Sequence, residues 1–299
     1  MRVFMTGGSG FVGSAVTRQL IERGHTVTGL ARSDASAAAL EATGAAVLRG
    51  DLKDLDALAA GARSAEGVIH CGFIHDFTNF AASVETDRYA ITALGEALAG
   101  TGRPFLVTSG IGLLPQGRLL TEDDDAVTAG PAALRGASDR LALEFVARDV
   151  RVGLIRLPPS VHGDGDHGLV PIFIGFARKA GVAAYVGSGE NRWSAVHRDD
   201  AAGVYVRALE NGAAGARYHA VADQGSPFRD IVAVIGRKLG VPTVSISPEE
   251  AADRFGEWLG GVAQFDVPAL AEVTRERLGW QPTGPSLLDD LEHGTYFAA

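Results

Sequence analysis

The sequence predicts a doubly wound α/β fold, in which helices cover both faces of a parallel sheet. Three observations lead to this prediction. Short apolar runs alternate with helical patterns as far as residue 157, which is the order expected of a parallel sheet. A glycine-rich turn joins the first strand to the first helix within residues 6–13. The chain has 299 residues, which is enough for one complete core and a smaller added lobe.

Each element predicted in the first half of the chain rests on its periodicity. Strands are assigned to short apolar runs, and helices to segments whose apolar residues recur every three or four positions. Gly24 ends the first helix, and the next strand completes a strand–helix–strand unit within about 30 residues. In chain order the predicted elements are strand 2–6, helix 10–23, strand 27–31, helix 35–42, strand 46–48, helix 52–60, strand 67–70, helix 80–99, strand 104–108, helix 133–147 and strand 150–157.

Beyond Leu157 the alternation is less regular, which indicates a second, smaller lobe. The remaining predicted elements are helix 170–179, helix 199–210, strand 216–221 and helices 228–239, 248–259 and 269–278. The strand at 216–221 and the helix before it return to the main sheet. We therefore expect a main domain made of residues 1–160 and 196–223, and a smaller, mostly helical C-terminal lobe made of residues 161–195 and 224–299.

Composition and charge exclude several classes of protein. The net charge is −9 and no run of Lys and Arg is present, so we expect no nucleic-acid partner. No apolar stretch approaches the roughly 18 residues that a membrane span requires, and no secretory signal pattern is present. Cys71 is the only cysteine, so no internal disulfide can form. We therefore expect a cytoplasmic protein without membrane association.

The turn after the first strand has the spacing of a dinucleotide-binding site. Gly7 permits the tight turn, Gly10 lets a diphosphate approach the backbone, and Gly13 lets the helix pack closely on the sheet. The diphosphate then lies against the free N–H groups and the positive end of the helix dipole. The main domain is therefore predicted to be a Rossmann domain that binds a nicotinamide dinucleotide. The predicted cofactor contacts in this turn are Thr6, Gly7, Ser9, Gly10, Phe11, Val12 and Gly13.

The end of the second strand favours NADP over NAD. NAD sites usually have an acidic residue there to bind the ribose hydroxyls. In this chain Ala31 occupies the expected position, and Arg32 and Ser33 follow it with groups that suit a 2′-phosphate. Asp34 lies one residue further on, so NAD stays open as the alternative cofactor.

Motifs along most of the chain resemble those of the extended short-chain dehydrogenase/reductases, a superfamily that includes nucleotide-sugar epimerases and dehydratases. They are the turn at 6–13, the Gly50-Asp51-Leu52 step, Thr108-Ser109, Arg156-Leu157-Pro158 and the stretch 196–201 ahead of a helix. The resemblance implies that Asp51 and Leu52 flank the adenine, that Ser109 is the catalytic serine, and that a Tyr-x-x-x-Lys pair follows on the next helix. It further implies cofactor contacts at His70, Cys71, Gly72, Ser109 and Pro158.

The expected Tyr-x-x-x-Lys pair is missing, so the chain is similar to an atypical member of that superfamily. None of the five tyrosines precedes a lysine by four residues. Arg135 and Asp139 occupy the two positions on the matching helix. Arginine does not give up its proton, so Arg135 is predicted to stabilise a developing oxyanion rather than to act as an acid. A plain surface ion pair between these two residues is the alternative.

Other polar residues are candidates for the proton donor and for substrate contacts. His75 and Asp76 follow the fourth strand, where loops of parallel sheets face the crevice; an exposed polar pair is the alternative. His162 and Trp193 are candidate substrate contacts, but for Trp193 packing is the favoured interpretation. His162 and His167 bracket two aspartates without the spacing of a metal site, so we expect no metal. The candidate catalytic residues are Ser109, Arg135, Asp139 and His75, and the candidate substrate contacts are Asp76, His162 and Trp193.

These features together predict an NAD(P)H-dependent oxidoreductase, with NADPH-dependent reduction of a small carbonyl, enone or imine as the favoured reaction. A non-catalytic NADP-binding sensor or scaffold is the alternative, because the usual acid is missing. Nucleotide-sugar epimerisation or dehydration ranks last. The expected partner is a small-molecule substrate, and a homodimer stays open because the long helices of such folds often pair between subunits.

Overall fold

The computed structural model describes residues 1–298, without the side chain of residue 77. Its twelve strands are β1 (Arg2–Thr6), β2 (Thr26–Ala31), β3 (Ala46–Arg49), β4 (Gly67–His70), β5 (Pro104–Gly110), β6 (Arg151–Leu157), β7 (Ser160–His162), β8 (Ala183–Val186), β9 (Arg192–His197), β10 (Ala216–His219), β11 (Asp223–Pro227) and β12 (Thr243–Ile246). Its α-helices are α1 (Phe11–Glu22), α2 (Asp34–Ala42), α3 (Leu55–Ser64), α4 (Phe80–Leu98), α5 (Ala132–Glu144), α6 (Leu169–Ala180), α7 (Arg198–Asn211), α8 (Phe228–Leu239), α9 (Pro248–Phe255), α10 (Glu257–Val262), α11 (Glu272–Leu278) and α12 (Leu287–His293).

The main sheet has seven parallel strands in the order β10-β6-β5-β4-β1-β2-β3. Helices α1 and α7 pack together on one face, and α3, α4 and α5 pack on the other. The central strands are buried on both sides, which explains why they read as continuous apolar runs rather than as alternating patterns. The chain reverses direction along the sheet between β1 and β4, so a crevice opens beyond the carboxyl ends of these strands. The predicted doubly wound fold is confirmed.

The smaller lobe contains strands that the sequence analysis did not predict. Strands β11, β9 and β7 form a mixed three-stranded sheet, and β12 pairs with β8 in parallel. Helices still predominate in this lobe, but the description of it as mostly helical omitted these two sheets. The strands have three to six residues each and pair with distant segments, so they leave little local periodicity.

Two helix boundaries in this region also differ from the prediction. The helix predicted over 248–259 is divided into α9 and α10 at Gly256, which has a left-handed φ of +81°. The helix predicted from residue 269 begins only at Glu272. None of the helices in the described chain is long and apolar enough to cross a membrane.

An aromatic cluster forms the core of the smaller lobe. The ring of Trp193 lies 4.8 Å from that of Phe228, and the ring of Phe173 lies 5.2 Å from Phe228 and 5.1 Å from Phe255. These rings are almost fully buried and are surrounded by aliphatic side chains of α6, α8 and β8. The lobe therefore has a hydrophobic core of its own next to the main sheet.

Candidate active site

The glycine turn is shaped for close backbone packing. Gly7 has a φ of +70°, and a Cβ atom there would lie 2.7 Å from the backbone nitrogen of Gly72. A Cβ atom at Gly13 would lie 2.0 Å from the carbonyl oxygen of Gly7, so only glycine fits that position. Gly10 caps α1 without any side-chain hydrogen bond, and the first turn of α1 has no acidic residue. The N–H groups at this helix start are thus available to an anion, which fits a dinucleotide diphosphate.

The segment predicted to run past the cofactor lies beside this turn. The backbone N–H of Gly72 donates to Thr6 Oγ1 at 3.1 Å, which ties the end of β4 to the end of β1. Leu52 reaches the same place, because a Cβ atom at Gly72 would lie 3.1 Å from its Cδ2. Asp51 is exposed, and its side chain accepts a hydrogen bond from the N–H of Lys53. The structure therefore brings Thr6, Leu52 and His70-Cys71-Gly72 together at the crevice.

The residues predicted to choose between NADP and NAD lie at the exposed end of β2. Arg32 is exposed there. Ser33 caps α2 in a reciprocal capping box with Ser36. Asp34 forms an ion pair with Arg49 at 2.7 Å. Asp34, the acidic residue that left NAD open as a cofactor, is thus paired with Arg49 of the neighbouring strand β3.

Ser109 and Asp139 form a buried hydrogen-bonded pair. Ser109 lies near the end of β5, and its Oγ–H donates to Asp139 Oδ2 of α5 at 2.6 Å. Asp139 is only 2% exposed, and burial raises the pKa of its carboxyl although Arg135 and Arg156 partly oppose that effect. Asp139 Oδ1 has no hydrogen-bond partner in the described structure. Pro158 follows β6, the strand beside Ser109.

Arg135 does not form the exposed ion pair with Asp139 that the sequence left open. Its guanidinium turns toward α4, where Nη1 lies 3.2 Å from Asp87 Oδ2. Its Nη2 donates to the carbonyl oxygen of Thr108 at 2.7 Å, and its Cζ lies 5.1 Å from the ring centre of Phe73. The side chain is 12% exposed. Arg135 is thus a nearly buried cation held at the end of β5.

Asp87 is a site residue that the sequence analysis missed. It is 1% exposed, and besides Arg135 it contacts His70, whose Nε2 lies 3.3 Å from Asp87 Oδ1. Arg135 and His70 keep the pKa of the Asp87 carboxyl below its usual value against the opposing effect of burial. A signal was present in the sequence, because Asp87 falls on the same apolar helix face as Val84 and Ile91. A charged residue on a buried face requires a partner.

His75 and Asp76 lie on the loop after β4, as predicted, with different surroundings. The ring of His75 packs edge-to-face on Phe73 at 5.3 Å. Partial desolvation, together with His167 and Arg135, lowers the pKa of His75. Asp76 Oδ1 accepts hydrogen bonds from Thr78 and Asn79, so this carboxylate caps a short helical turn. His75 therefore lies near Phe73, His167 and Arg135, whereas Asp76 shapes the loop itself.

The other two predicted substrate contacts are fully buried. His162 Nδ1 is paired with Asp290 Oδ2 at 2.8 Å, and its ring packs edge-to-face on His197. Trp193 belongs to the aromatic core of the smaller lobe. Both side chains are 0% exposed in this structure, and Trp193 has the packing position that the sequence analysis favoured. Within residues 1–298, no group of three or more His, Cys, Asp or Glu side chains is placed to hold a metal ion.

The sheet order and the glycine turn define a protein of the Rossmann-type fold class. The sequence signature of the NAD dependent epimerase/dehydratase family matches residues 3–222. The chain is 46% identical over 293 residues to the uncharacterized protein YLL056C of Saccharomyces cerevisiae, covering 97% of this chain and 98% of the other. It is 30% identical over 315 residues to the 3-diazoavenalumate denitrifying reductase of a Streptomyces species, covering 97% and 99%.

A solved structure with the same fold is DesIV, the dTDP-glucose 4,6-dehydratase of Streptomyces venezuelae, with NAD and TYD bound. It superimposes with a TM-score of 0.79 at 22% identity, covering 99% of this chain and 96% of the other. The chain belongs to the NAD dependent epimerase/dehydratase family. The resemblance to the extended short-chain dehydrogenase/reductases is thereby confirmed.

Proposed function

We propose that the protein is an NADPH-dependent reductase of a small carbonyl, enone or imine compound. The observation that carries the proposal is the buried Ser109–Asp139 pair at the crevice edge of the sheet. Burial favours the protonated carboxyl, so the pair is a source of a proton in a protein without the usual tyrosine. The reductase name of the Streptomyces relative supports the same class of reaction.

The chain's own residues provide binding and proton transfer. When bound, a nicotinamide cofactor supplies the hydride, and the glycine turn with Gly72 holds its diphosphate. A protonated Asp139 donates its hydrogen to Ser109 Oγ, which leaves the hydroxyl hydrogen of Ser109 free to point at the substrate oxygen or nitrogen. As negative charge develops there, Ser109 transfers its proton and recovers one from Asp139. Arg135 keeps its proton and stabilises the developing charge electrostatically.

The function is tested by titrating the purified protein with NADPH and then measuring NADPH oxidation across a panel of carbonyls, enones and imines. The proposal predicts saturable binding and turnover of at least one member of the panel. Saturable binding without any turnover would instead support the non-catalytic sensor or scaffold. No NADPH binding would contradict both ideas.

The choice of NADPH depends on Arg32. We expect Arg32→Ala to weaken NADPH binding about tenfold, the effect of losing one charge-assisted hydrogen bond to a 2′-phosphate, and to leave NADH binding unchanged. Fluorescence titration with both cofactors measures this difference. Arg63→Ala, which removes an exposed arginine at the end of α3, is the control and should change neither affinity. An equal loss for NADH and NADPH would show that Arg32 does not select the cofactor.

We also infer that residues 161–195 and 224–299 bind the substrate and that the protein is a homodimer. The support for a dimer is the exposed apolar surface of the paired helices α4 and α5, where Tyr89 is 56% and Leu134 is 50% exposed. Light scattering of the wild-type protein should give twice the mass of one chain. Leu134→Glu should give the mass of a single chain and keep the far-ultraviolet circular dichroism spectrum of the wild type. A wild-type protein that is monomeric at 50 µM or so, well above the Kd of a stable dimer, would contradict this inference.

A further inference from the structure

A continuous buried chain of polar groups joins the glycine turn to Arg135. Thr6 Oγ1 lies 2.7 Å from His70 Nδ1, and His70 Nε2 lies 3.3 Å from Asp87 Oδ1. The other oxygen of Asp87 lies 3.2 Å from Arg135 Nη1. Thr6, His70 and Asp87 are each at most 1% exposed, so no solvent competes for these contacts. The chain connects β1, β4, α4 and α5 through side chains alone.

The donors and acceptors fix the direction of each hydrogen bond. Asp87 is held ionised by Arg135, so His70 must donate from Nε2 to Asp87 Oδ1. Thr6 Oγ1 already accepts the N–H of Gly72, and its own hydrogen is then free for His70 Nδ1. The neutral tautomer that fits these contacts has its proton on Nε2 and accepts from Thr6 at Nδ1. A carboxylate placed in this way is oriented from one side by His70 and presents its second oxygen to Arg135.

We propose that Asp87 is a positioning residue that holds Arg135 toward α4 and away from Asp139, with His70 and Thr6 fixing the orientation of Asp87. Arg135 and Asp139 are four residues apart on α5, where opposite charges ordinarily meet. Instead, Arg135 is paired with Asp87 across the helix interface. Asp139 is thereby hydrogen-bonded to Ser109 and not paired with Arg135. The consequence for turnover rests on the proposed reductase function, whereas the pairing itself does not.

The separation of these charges matters for the proton on Asp139. Groups facing Asp139 are Arg135 on its own helix, Arg156 of β6, Asp87 of α4 and the hydroxyl of Ser109 on β5. The arginines and the Ser109 hydroxyl lower the pKa of Asp139, and the negative charge of Asp87 raises it together with burial. Without Asp87, a guanidinium released toward Asp139 would favour the ionised carboxylate. Asp139 would then lose its proton at a lower pH.

Asp87→Asn tests the proposal, with Glu96→Gln as the matched control. Glu96 is on the same helix and is paired with Arg148 in an exposed ion pair, so the control also removes one acidic charge next to an arginine. Nitrogen-15 NMR of the guanidinium groups gives the Arg135 signal, identified by its loss in Arg135→Lys. We expect that signal to move to the region of exposed arginines in Asp87→Asn and to stay in place in Glu96→Gln. The imidazole spectrum should show His70 with its proton on Nε2.

Kinetics give a second readout that a merely structural role would not produce. In Asp87→Asn we expect kcat to fall about tenfold or more, the NADPH Kd to change less than threefold, and the pH at which activity declines to move down. An unchanged Arg135 signal or an unchanged pH profile would overturn the proposal. If the Arg135 signal moves as expected and the wild type turns over no substrate, the pairing stands and the reductase function fails.

If Asp87→Asn folds poorly, the double variant Asp87→Asn/Arg135→Gln tests whether the cause is the unpaired charge of Arg135. Removing one member of a buried ion pair leaves an uncompensated charge, whereas removing both does not. The double variant should therefore recover most of the thermal stability that the single variant loses. A double variant that is as unstable as the single one would show that the pair does not hold Arg135 and would overturn the proposal.

Discussion

Asp139→Asn is expected to lower kcat about 100- to 1000-fold, with the NADPH Kd unchanged. The loss of a positioned acid or of one donor to a developing oxyanion has effects of this size. The Asn side chain keeps the shape of Asp139, and its amide N–H can donate to Ser109 Oγ as the protonated carboxyl does. That N–H cannot be transferred as a proton, so the loss isolates proton transfer. Steady-state kinetics on whichever substrate the NADPH-oxidation panel identifies, together with fluorescence titration of NADPH, measure the two quantities.

The pH profile gives the sign of the Asp139 effect. In the proposed reaction the protonated carboxyl of Asp139 is the active form, and burial raises the pKa of this carboxyl. Activity should therefore be fully present below that raised pKa and decline as the pH rises through it, whereas Asp139→Asn should lose that decline. Asp253→Asn, at an exposed position of α9 in the smaller lobe, should keep wild-type kcat and pH profile. Wild-type turnover by Asp139→Asn would show that the proton comes from another group, with His75 as the next candidate.

Gly13→Ala is expected to abolish measurable NADPH binding, with a rise in Kd of at least about 100-fold, which corresponds to roughly 3 kcal/mol. The added Cβ would lie 2.0 Å from the carbonyl oxygen of Gly7 and 2.8 Å from the carbonyl carbon of that residue. Both are backbone atoms, so the start of α1 must move away from the turn. The N–H groups that are proposed to face the diphosphate would move with it. Calorimetric titration measures the loss, and circular dichroism checks that the fold persists.

Gly175→Ala is the matched control for the substitution at Gly13. Gly175 is also in a helix, α6, and a Cβ atom there would meet no atom within 4 Å. Alanine in a helix interior is favoured over glycine by roughly 0.5–1 kcal/mol, so this variant should be as stable as wild type or more so, with unchanged NADPH affinity. Normal binding by Gly13→Ala would mean that the turn does not hold the cofactor.

The contacts of Arg135 in the structure differ from those that its position in the sequence suggested. Arg135 and Asp139 were identified from the sequence as the residues in place of Tyr and Lys. Their i,i+4 spacing suggested an ion pair between them, but Asp139 bonds to Ser109 and Arg135 contacts Asp87. Spacing on one helix shows only which side chains can meet. Partners on other elements decide which of them do.

The sequence by itself determined the glycine turn and the parallel sheet, because both depend on local properties. Consecutive residues are enough to show the conformational freedom of Gly7, the absent side chain of Gly13 and the alternation of apolar strands with helices. These features predicted the main fold, and the structure differs from the predicted elements of the main sheet chiefly at their ends.

Only the tertiary structure decided the short strands of the smaller lobe and the buried chain through Asp87. Strand β8 pairs with β12, and the paired residues Ala183 and Thr243 are far apart in the sequence. His70, Asp87 and Arg135 likewise come from three different elements. A buried charge is stable only when distant segments supply its partners, and periodicity within one segment carries no information about which segments those are.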